Sequence, residues 1–322
     1  MKPTFHHRLI NDSYEDPCVF IRMLRESRAL LFDAGDLSRL KPADLQKVTD
    51  VFVTHTHIDH FIGFDTLLRA LLRREKALTL YGPENIIECV EGKLRGYTWN
   101  LIEQYPMTIE VFSLTEKEVR RASFSARESF RRIDKGTWPF DGTALNDPPY
   151  KVKTAILSHG TPCLGFSLEE DYHINIDKAA LLAMGLPVGP WLGDLKELIR
   201  QKALPETQIF VEGRGLAFSD LAHIAGITEG QKISYITDVS PEEENRERII
   251  GLVRGSDTFY CEAYFLHADM ERAVERHHLT ARLAGEIARK AEVKNLMVMH
   301  FSPKYRDLPG IIESEAMREF LG

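Results

Sequence analysis

Residues 50–60 of this 322-residue chain read Asp50-Val51-Phe52-Val53-Thr54-His55-Thr56-His57-Ile58-Asp59-His60. The apolar first half predicts a buried strand. Alternate side chains of an extended chain point the same way, so His55 and His57 can bind one metal ion. Asp59 and His60 fall where the following helix starts, and because adjacent side chains diverge there, they can serve a second ion. Imidazole and carboxylate ligands suit Zn²⁺, with Mn²⁺ or Fe as alternatives. Four potential ligands in six residues favour a metal site over a solvated histidine-rich loop.

A two-metal site needs further ligands, and three other positions have the same local design. His159, Asp238 and His300 each follow a short apolar run that predicts a strand. Sites in α/β sheets gather at the carboxyl ends of strands, so these side chains can converge on one rim with residues 55–60. Each alone is as easily an incidental polar residue at a strand end. Together they give seven donors, enough for two metal ions and a bridging carboxylate.

A candidate proton relay comes from another strand-like run, Thr258–Cys261, which ends on Glu262. Thr280 can cap the helix that follows it, which leaves His278 just outside that helix and free to face a cleft. A glutamate–histidine pair can hold an imidazolium as proton donor. The alternative is a surface histidine and an incidental glutamate. We assign no function to the remaining histidines, which are His6, His7, His173, His223, His267 and His277.

The composition is that of an ordinary globular protein, 43% hydrophobic and 28% charged, which excludes disordered, collagenous and disulfide-scaffold classes. A net charge of −7 argues against nucleic-acid binding through bulk charge but allows a local basic patch. Four isolated cysteines predict free thiols. The start of the chain does not resemble a signal peptide, and its apolar runs are short. We therefore expect a cytoplasmic protein that does not span a membrane.

Short apolar runs alternate with amphipathic ones, which predicts an α/β fold. Val19–Met23 and Ala29–Phe32 predict a hairpin. Residues 113–149 contain many basic residues and several prolines, a composition typical of a loop that contacts an anion or of a solvated insertion.

Residues 169–230, which we call the arm, contain their own helix start and stop signals. Asp177 can cap a helix that ends near Gly185, and a second helix follows the rigid turn at Gly185–Pro190, starting near Trp191. Two helices around a glycine- and proline-rich turn, inserted in an α/β chain, indicate a projecting structure.

The motif at residues 55–60 is similar to the His-x-His-x-Asp-His motif of the metallo-β-lactamase superfamily. Three further stretches resemble the ribonuclease Z family within it, the tRNA 3′-processing endonucleases. Cys261–Phe265 with His278-Leu279-Thr280 is similar to its Glu-Ala-Thr-Phe and His-Ser-Thr motifs, and His300–Tyr305 to its His-Phe-Ser-x-Arg-Tyr ending. Met184–Lys196 resembles the Gly-Pro-containing arm that grips the tRNA elbow. The match covers most of residues 30–306.

The resemblance implies an αββα sandwich of the metallo-β-lactamase type, with residues 1–322 as a single metallo-hydrolase domain and an inserted helical arm at 169–230. The implied metal ligands are His55, His57 and His159 for one ion, Asp59, His60 and His300 for the other, and Asp238 as the bridge. Asp59 would also act as base, and Glu262 with His278 would form the proton relay. The implied substrate-binding residues of the arm are Gly189, Pro190 and Lys196.

The function implied by the resemblance is removal of the 3′ trailer from precursor tRNA by a homodimer. Two divalent metal ions, Zn²⁺ in the first instance, would support hydroxide attack on a phosphodiester. One alternative is a hydrolase of the same fold that acts on a small phosphodiester, a sulfate ester or a lactone. Another is a non-catalytic RNA-binding homologue, but such a protein would need none of Asp59, Asp238, Glu262 and His278.

The chain also departs from the family pattern. Lys304 stands where the family usually has arginine, and Thr237-Asp238-Val239 replaces its usual Gly-Asp-Thr. The family's Gly-Thr-Ser start and the loop after it have no counterpart, and residues 113–149 match no family segment.

Overall fold

The apolar run ahead of His55 forms a strand, Val48–Phe52, in the interior of an eight-stranded sheet. The computed structural model describes residues 4–24 and 26–322. Within these residues the strands, numbered along the chain, are β1 (Phe5–Leu9), β2 (Val19–Met23), β3 (Ala29–Phe32), β4 (Val48–Phe52), β5 (Leu78–Gly82), β6 (Thr108–Leu114), β7 (Glu118–Ser125), β8 (Arg132–Pro139), β9 (Thr143–Asp147), β10 (Tyr150–Ser158), β11 (Pro162–Glu170), β12 (Tyr172–Ile176), β13 (Gln208–Val211), β14 (Arg214–Ala217), β15 (Ala225–Glu229), β16 (Lys232–Ile236), β17 (Thr258–Glu262) and β18 (Leu296–Met299).

Helices alternate with these strands over much of the chain. In the same described ranges they are α1 (Pro42–Leu45), α2 (Ile58–Phe61), α3 (Phe64–Leu71), α4 (Ile86–Arg95), α5 (Lys178–Ala183), α6 (Trp191–Arg200), α7 (Phe218–Leu221), α8 (Glu243–Val253), α9 (Met270–Arg276), α10 (Ala281–Lys290) and α11 (Ile311–Leu321).

The first sheet runs in chain order from β1 to β8. Strands β2 and β3 pair antiparallel, as the predicted hairpin requires, and β3 to β6 are parallel. Helix α3 buries Leu67, Leu68 and Leu71 in the core on one face of this sheet. Burial of a leucine side chain contributes about 1.5–3 kcal/mol, so this apolar stripe fixes the helix on the sheet.

The second sheet has the order β18-β17-β16-β11-β10-β9. Strands β16, β17 and β18 are parallel, so their carboxyl ends lie at one edge of the sheet. Helices α8, α10 and α11 bury Ile249, Ile287 and Ile312 in the core on its outer side.

Aromatic side chains join the inner faces of the two sheets. The ring of Phe32 stacks on those of Phe166 and Tyr235, with centroids 5.8 and 5.6 Å apart. With helices on both outer faces, this packing confirms the αββα sandwich.

The expectation that residues 113–149 form a loop or solvated insertion is wrong. Strands β7 and β8 complete the first sheet, and β9 lies at an edge of the second. Some of the basic residues that suggested a loop pair with carboxylates of the same sheet, since Arg121 Nε lies 2.9 Å from Glu110 Oε2 and Arg132 Nε lies 2.7 Å from Asp134 Oδ1. Because paired charges can occupy strand positions, a high content of basic residues does not exclude strands here.

The described residues divide into two compact units, and the smaller one comprises residues 147–151 and 169–231. Its helices start as expected, because the Asp177 side chain accepts hydrogen bonds from the first turn of α5 and α6 starts at Trp191. Two strand pairs, β12 with β15 and β13 with β14, were not foreseen. The unit has an apolar core of its own, formed by Leu181, Trp191, Leu195, Ile209, Val211, Leu221 and Ile224.

All four cysteines are free thiols, as expected. Burial raises the pKa of Cys18, Cys163 and Cys261 well above the usual value, whereas Cys89 is partly exposed. Because alkylation needs an accessible thiolate, we expect iodoacetamide to modify Cys89 alone in the native protein and all four cysteines after denaturation. Peptide mass spectrometry checks this, and native labelling of any buried thiol would contradict the packing.

Among the described residues, no helix is both long and apolar enough to cross a membrane.

Candidate metal centre

The first group of potential ligands lies at the carboxyl end of β4. His55, His57, His159 and Asp238 have ligand atoms within 4.8 Å of one another. The Asp238 Oδ2 atom lies 3.4 Å from His159 Nε2 and 3.6 Å from His55 Nε2. His55 is fully buried and His57 is exposed, so this group faces the outside through His57.

The second group consists of Asp59, His60 and His300. Asp59 Oδ2 lies 3.4 Å from His60 Nε2 and 3.5 Å from His300 Nε2. Asp238 also reaches this group, at 3.5 Å from His60 Nε2 and 2.9 Å from His300 Nδ1. The structure therefore brings the seven sequence-predicted ligands together, with Asp238 between the two groups.

The electrostatics of the site favour added positive charge. Burial alone would lower the pKa of His60, but Asp238 and Asp33 raise it well above its usual value. Burial likewise opposes the rise at His300, where Asp238 raises the pKa to about 10. The buried His60 Nε2 atom makes no hydrogen bond within the described residues. A divalent cation fits this donor set, because it would satisfy that nitrogen and the facing carboxylates together.

Other groups fix the second ring nitrogens. Asp33 Oδ2 lies 2.8 Å from His60 Nδ1, and the backbone carbonyl of His277 lies 2.7 Å from His159 Nδ1. Such partners set the tautomer and orientation of a metal-binding imidazole. Neither partner was predicted from the sequence, since Asp33 was not among the candidate site residues and His277 was assigned no function.

Four residues of the site have a left-handed backbone. Asp33, Asp238, His277 and His300 have φ between 49° and 59°. Residues other than glycine adopt this conformation at a cost of about 1–3 kcal/mol, and such residues cluster at functional sites. This backbone conformation turns the chain sharply at the strand ends, where Asp238 follows β16 and His300 follows β18.

The candidate relay lies beside the second group. Glu262 Oε2 is 2.8 Å from His278 Nδ1, and the other carboxylate oxygen accepts a hydrogen bond from the Val239 backbone N–H at 2.7 Å. The Tyr264 ring stacks on His278, with centroids 4.0 Å apart and planes 8° from parallel. Tyr264 is a further site residue that the sequence analysis missed. His278 is thus held at Nδ1 and on one ring face, and the Thr280 cap predicted for α10 is present.

A cavity of about 510 Å³ gives access to this centre. Its lining includes His57, Asp59, Asp238, Tyr264, His278 and His300. Potential ligands, a candidate base and a candidate proton donor therefore face one space, which is the arrangement that metal-assisted hydrolysis requires.

The candidate substrate-binding residues of the arm lie in the smaller unit. Gly189 and Pro190 form the turn before α6, and Lys196 is a half-buried residue of that helix. Close to this turn, the side chains of Leu182, Met184 and Val188 are exposed.

Asp33→Asn is expected to weaken metal binding about 10- to 100-fold, because the partner that orients His60 loses its charge. The buried Asp33 carboxylate also accepts hydrogen bonds from Thr54 and Tyr235, a set that an amide cannot fully replace. Competition with a chelator measures the affinity. Asp50→Asn is the matched control, since this buried aspartate pairs with Arg28 outside the site and its loss should leave metal affinity unchanged. Equal losses of metal affinity in both variants would contradict the assignment of Asp33 as the residue that orients His60.

Comparisons with known proteins agree with this description. Residues 28–135 match the family model described as a beta-lactamase superfamily domain. The metallo-beta-lactamase fold protein YhfI from Bacillus subtilis has a similar fold, with 15% identity, a TM-score of 0.57 and coverage of 98% of this chain and 93% of that one. The short form of human tRNase Z has 18% identity, a TM-score of 0.54 and 93% coverage of each chain. The fold and the site define a metal-dependent hydrolase of the metallo-β-lactamase superfamily.

A narrower assignment comes from sequence. A ribonuclease Z from Deinococcus radiodurans is 30% identical over 282 residues, which cover 86% of this chain and 83% of that protein. The chain belongs to the ribonuclease Z family. Divalent metal ions are the cofactors that this membership and the histidine–aspartate groups imply.

Proposed function

We propose that this protein is an endoribonuclease that removes the 3′ trailer from precursor tRNA. The observation that carries the proposal is the convergence of seven potential metal ligands and the Glu262–His278 pair on one cavity, in a chain of the ribonuclease Z family. The name of the human structural neighbour, tRNase Z, is in keeping with a tRNA substrate.

The metal assignment follows the two groups. His55, His57 and His159 would hold one ion, Asp59, His60 and His300 the other, and Asp238 would bridge them. Burial and the neighbouring His60 lower the pKa of His55 to about 2, which keeps its imidazole neutral and able to bind a metal ion. Zn²⁺ suits these ligands. Two divalent cations would supply a water molecule of lowered pKa and neutralise charge on the phosphodiester.

The chain's own groups perform the proton transfers. The Asp59 carboxylate lines the cavity and is partly exposed, so it can orient the attacking water and accept its proton. His278 holds its Nδ1 against Glu262, which leaves Nε2 to donate a proton to the departing 3′-oxygen. Cleavage would then leave a 3′-hydroxyl on the tRNA and a 5′-phosphate on the trailer.

The arm completes the proposal. Its Gly189–Pro190 turn, the exposed apolar side chains beside that turn and Lys196 would bind the tRNA body away from the cut. A homodimer, in which the arm of one subunit serves the other, and a cytoplasmic location are parts of the same proposal.

The decisive experiment maps the cut on one end-labelled precursor tRNA, with the protein loaded with Zn²⁺ or Mn²⁺. We expect a single cleavage directly after the discriminator nucleotide. If a protein with two metal ions per chain leaves the precursor intact but hydrolyses an aryl sulfate or a lactone, the proposal is wrong and the small-substrate alternative holds.

A shortened arm separates RNA recognition from chemistry. Ile176 and Ala225 are paired residues of β12 and β15, so an Asn-Gly turn can replace residues 177–224 while the ribbon is kept. We expect kcat/KM for precursor tRNA to fall roughly 10- to 100-fold, because binding energy remote from the reacting bond is lost. Turnover of bis(p-nitrophenyl) phosphate, measured on the same preparation, should change less than about twofold, since this small substrate needs only the metal centre. Equal losses on both substrates would contradict a role of the arm in binding RNA.

A further inference from the structure

Two arginines line the cavity that opens onto the candidate metal centre. Arg272 and Arg276 both belong to α9 and both side chains are exposed. Residues four apart lie on the same face of a helix, so the two guanidinium groups border the cavity side by side.

Neither guanidinium group is neutralised by a paired carboxylate within the described residues. Within the described ranges, Arg272 and Arg276 form no ion pair or hydrogen bond, unlike Arg121 and Arg132 of the first sheet. The Arg272 guanidinium lies 5.8 Å from the ring centroid of Phe265, another residue that lines the cavity. Arg276 lies close enough to Tyr264 to oppose the rise in pKa that burial causes at that phenol.

Two charged residues near α9, Asp269 just before this helix and Lys304 after β18, are paired with each other. The Lys304 Nζ atom lies 2.7 Å from both carboxylate oxygens of Asp269, and the Tyr305 hydroxyl also donates to this carboxylate. Lys304 therefore has its charge compensated. Asp269 accepts its hydrogen bonds from Lys304 and Tyr305, and Arg272 contributes only a smaller, longer-range lowering of the pKa of this carboxyl group. The two arginines remain as the free cations at this side of the cavity within the described part of the chain.

Such a pair suits a phosphate that is not the one being cut. The scissile phosphate must lie against the metal ligands, most of which are buried, whereas Arg272 and Arg276 line the same cavity with exposed side chains. An RNA strand that leaves the cavity carries its next phosphate past these side chains. Guanidinium groups bind phosphate oxygens in a bidentate manner, which fixes position as well as contributing charge.

We propose that Arg272 and Arg276 form a subsite for the RNA phosphate adjacent to the scissile one. The subsite rests on the proposed function, since it requires an RNA substrate. It makes the two arginines positioning residues for the strand and leaves the chemical step to the metal centre and His278. The net charge of −7 does not oppose this binding, because the subsite is local.

The test compares R272Q, R276Q and the double variant with R282Q. Arg282 is an exposed arginine of α10 outside the cavity lining, so R282Q is a control with the same change of charge. We expect each single variant to lower kcat/KM for precursor tRNA about fivefold to tenfold, mainly through KM, and R282Q to match the unmodified protein. Bis(p-nitrophenyl) phosphate has no adjacent phosphate, so its turnover should change less than about twofold in all four variants.

Salt dependence gives a second measurement. Each lost phosphate contact should make the plot of log KM against log salt concentration shallower by about 0.7, and the lysine variants R272K and R276K should restore the slope because they keep the charge. The inference is overturned if R272Q and R276Q behave like R282Q on precursor tRNA, or if the small diester loses as much turnover as the tRNA. Failure of the proposed function is distinct, since the unmodified protein would then cut no precursor tRNA.

Discussion

Asp238→Ala is expected to lower kcat/KM for precursor tRNA by about 10³-fold or more, because a metal centre contributes several kcal/mol of transition-state stabilisation. The side chain of Asp238 reaches both ligand groups, at 3.4 Å from His159 and 2.9 Å from His300. Without this carboxylate the two groups share no ligand, so both ions should bind weakly. Metal content per chain after gel filtration, measured together with cleavage, checks the prediction.

His57→Ala is the informative comparison. His57 is exposed and belongs to the first ligand group alone, so its loss should cost one metal ion and spare the second. Thermal unfolding of the metal-free proteins shows whether both variants fold. Two ions per chain in folded Asp238→Ala would show that Asp238 is not the bridge.

The ligand positions could be predicted from sequence because the signals are local. The β4 strand and the turn into α2 place His55, His57 and Asp59 within a few residues of one another, whatever the rest of the chain does. The same holds for the Thr280 cap of α10. Strand period, helix capping and ligand chemistry are all readable in a short window.

The strands β7 and β8 could not be predicted in this way. Their basic residues take part in pairs such as Arg121–Glu110, which joins two strands, and Arg132–Glu88, which joins a strand to α4. A partner outside the window turns an apparently solvated charge into part of a sheet. Sequence periodicity cannot reveal such a pair, because the pairing depends on tertiary structure.

Asp33 illustrates the same limit within the site. Its carboxylate joins Thr54, His60 and Tyr235, which are 21, 27 and 202 positions away in sequence. Thr54 follows β4, His60 belongs to α2 and Tyr235 belongs to β16. The positive φ of Asp33, like that of Asp238, occurs without a glycine to signal it. Residues that orient a ligand through long-range contacts therefore become visible only in the fold.

His278→Ala is expected to lower kcat for precursor tRNA by about 10²- to 10⁴-fold, the usual contribution of a positioned general acid. The 3′-oxygen of a nucleotide is a poor leaving group and needs a proton, which His278 can supply while Glu262 holds its Nδ1 at 2.8 Å. Glu262→Gln should show a smaller loss in the same direction, because an amide orients the ring but does not stabilise an imidazolium. Single-turnover cleavage at saturating enzyme measures the step.

A comparison of two substrates with different leaving groups shows whether His278→Ala removes a proton donor or disturbs the structure of the site. A p-nitrophenolate departs without a proton, so His278→Ala should affect bis(p-nitrophenyl) phosphate far less than RNA. His173→Ala is the matched control, since this buried histidine lies 3.2 Å from Glu170 in the smaller unit and its loss should leave turnover of the small diester unchanged. Metal content tests whether His278 is a metal ligand instead. This alternative arises because ligand atoms of His278 and Glu262 also lie within 4.8 Å of those of Asp238 and His300. Loss of a metal ion from His278→Ala, with equal losses on both substrates, would make His278 a ligand instead of a proton donor.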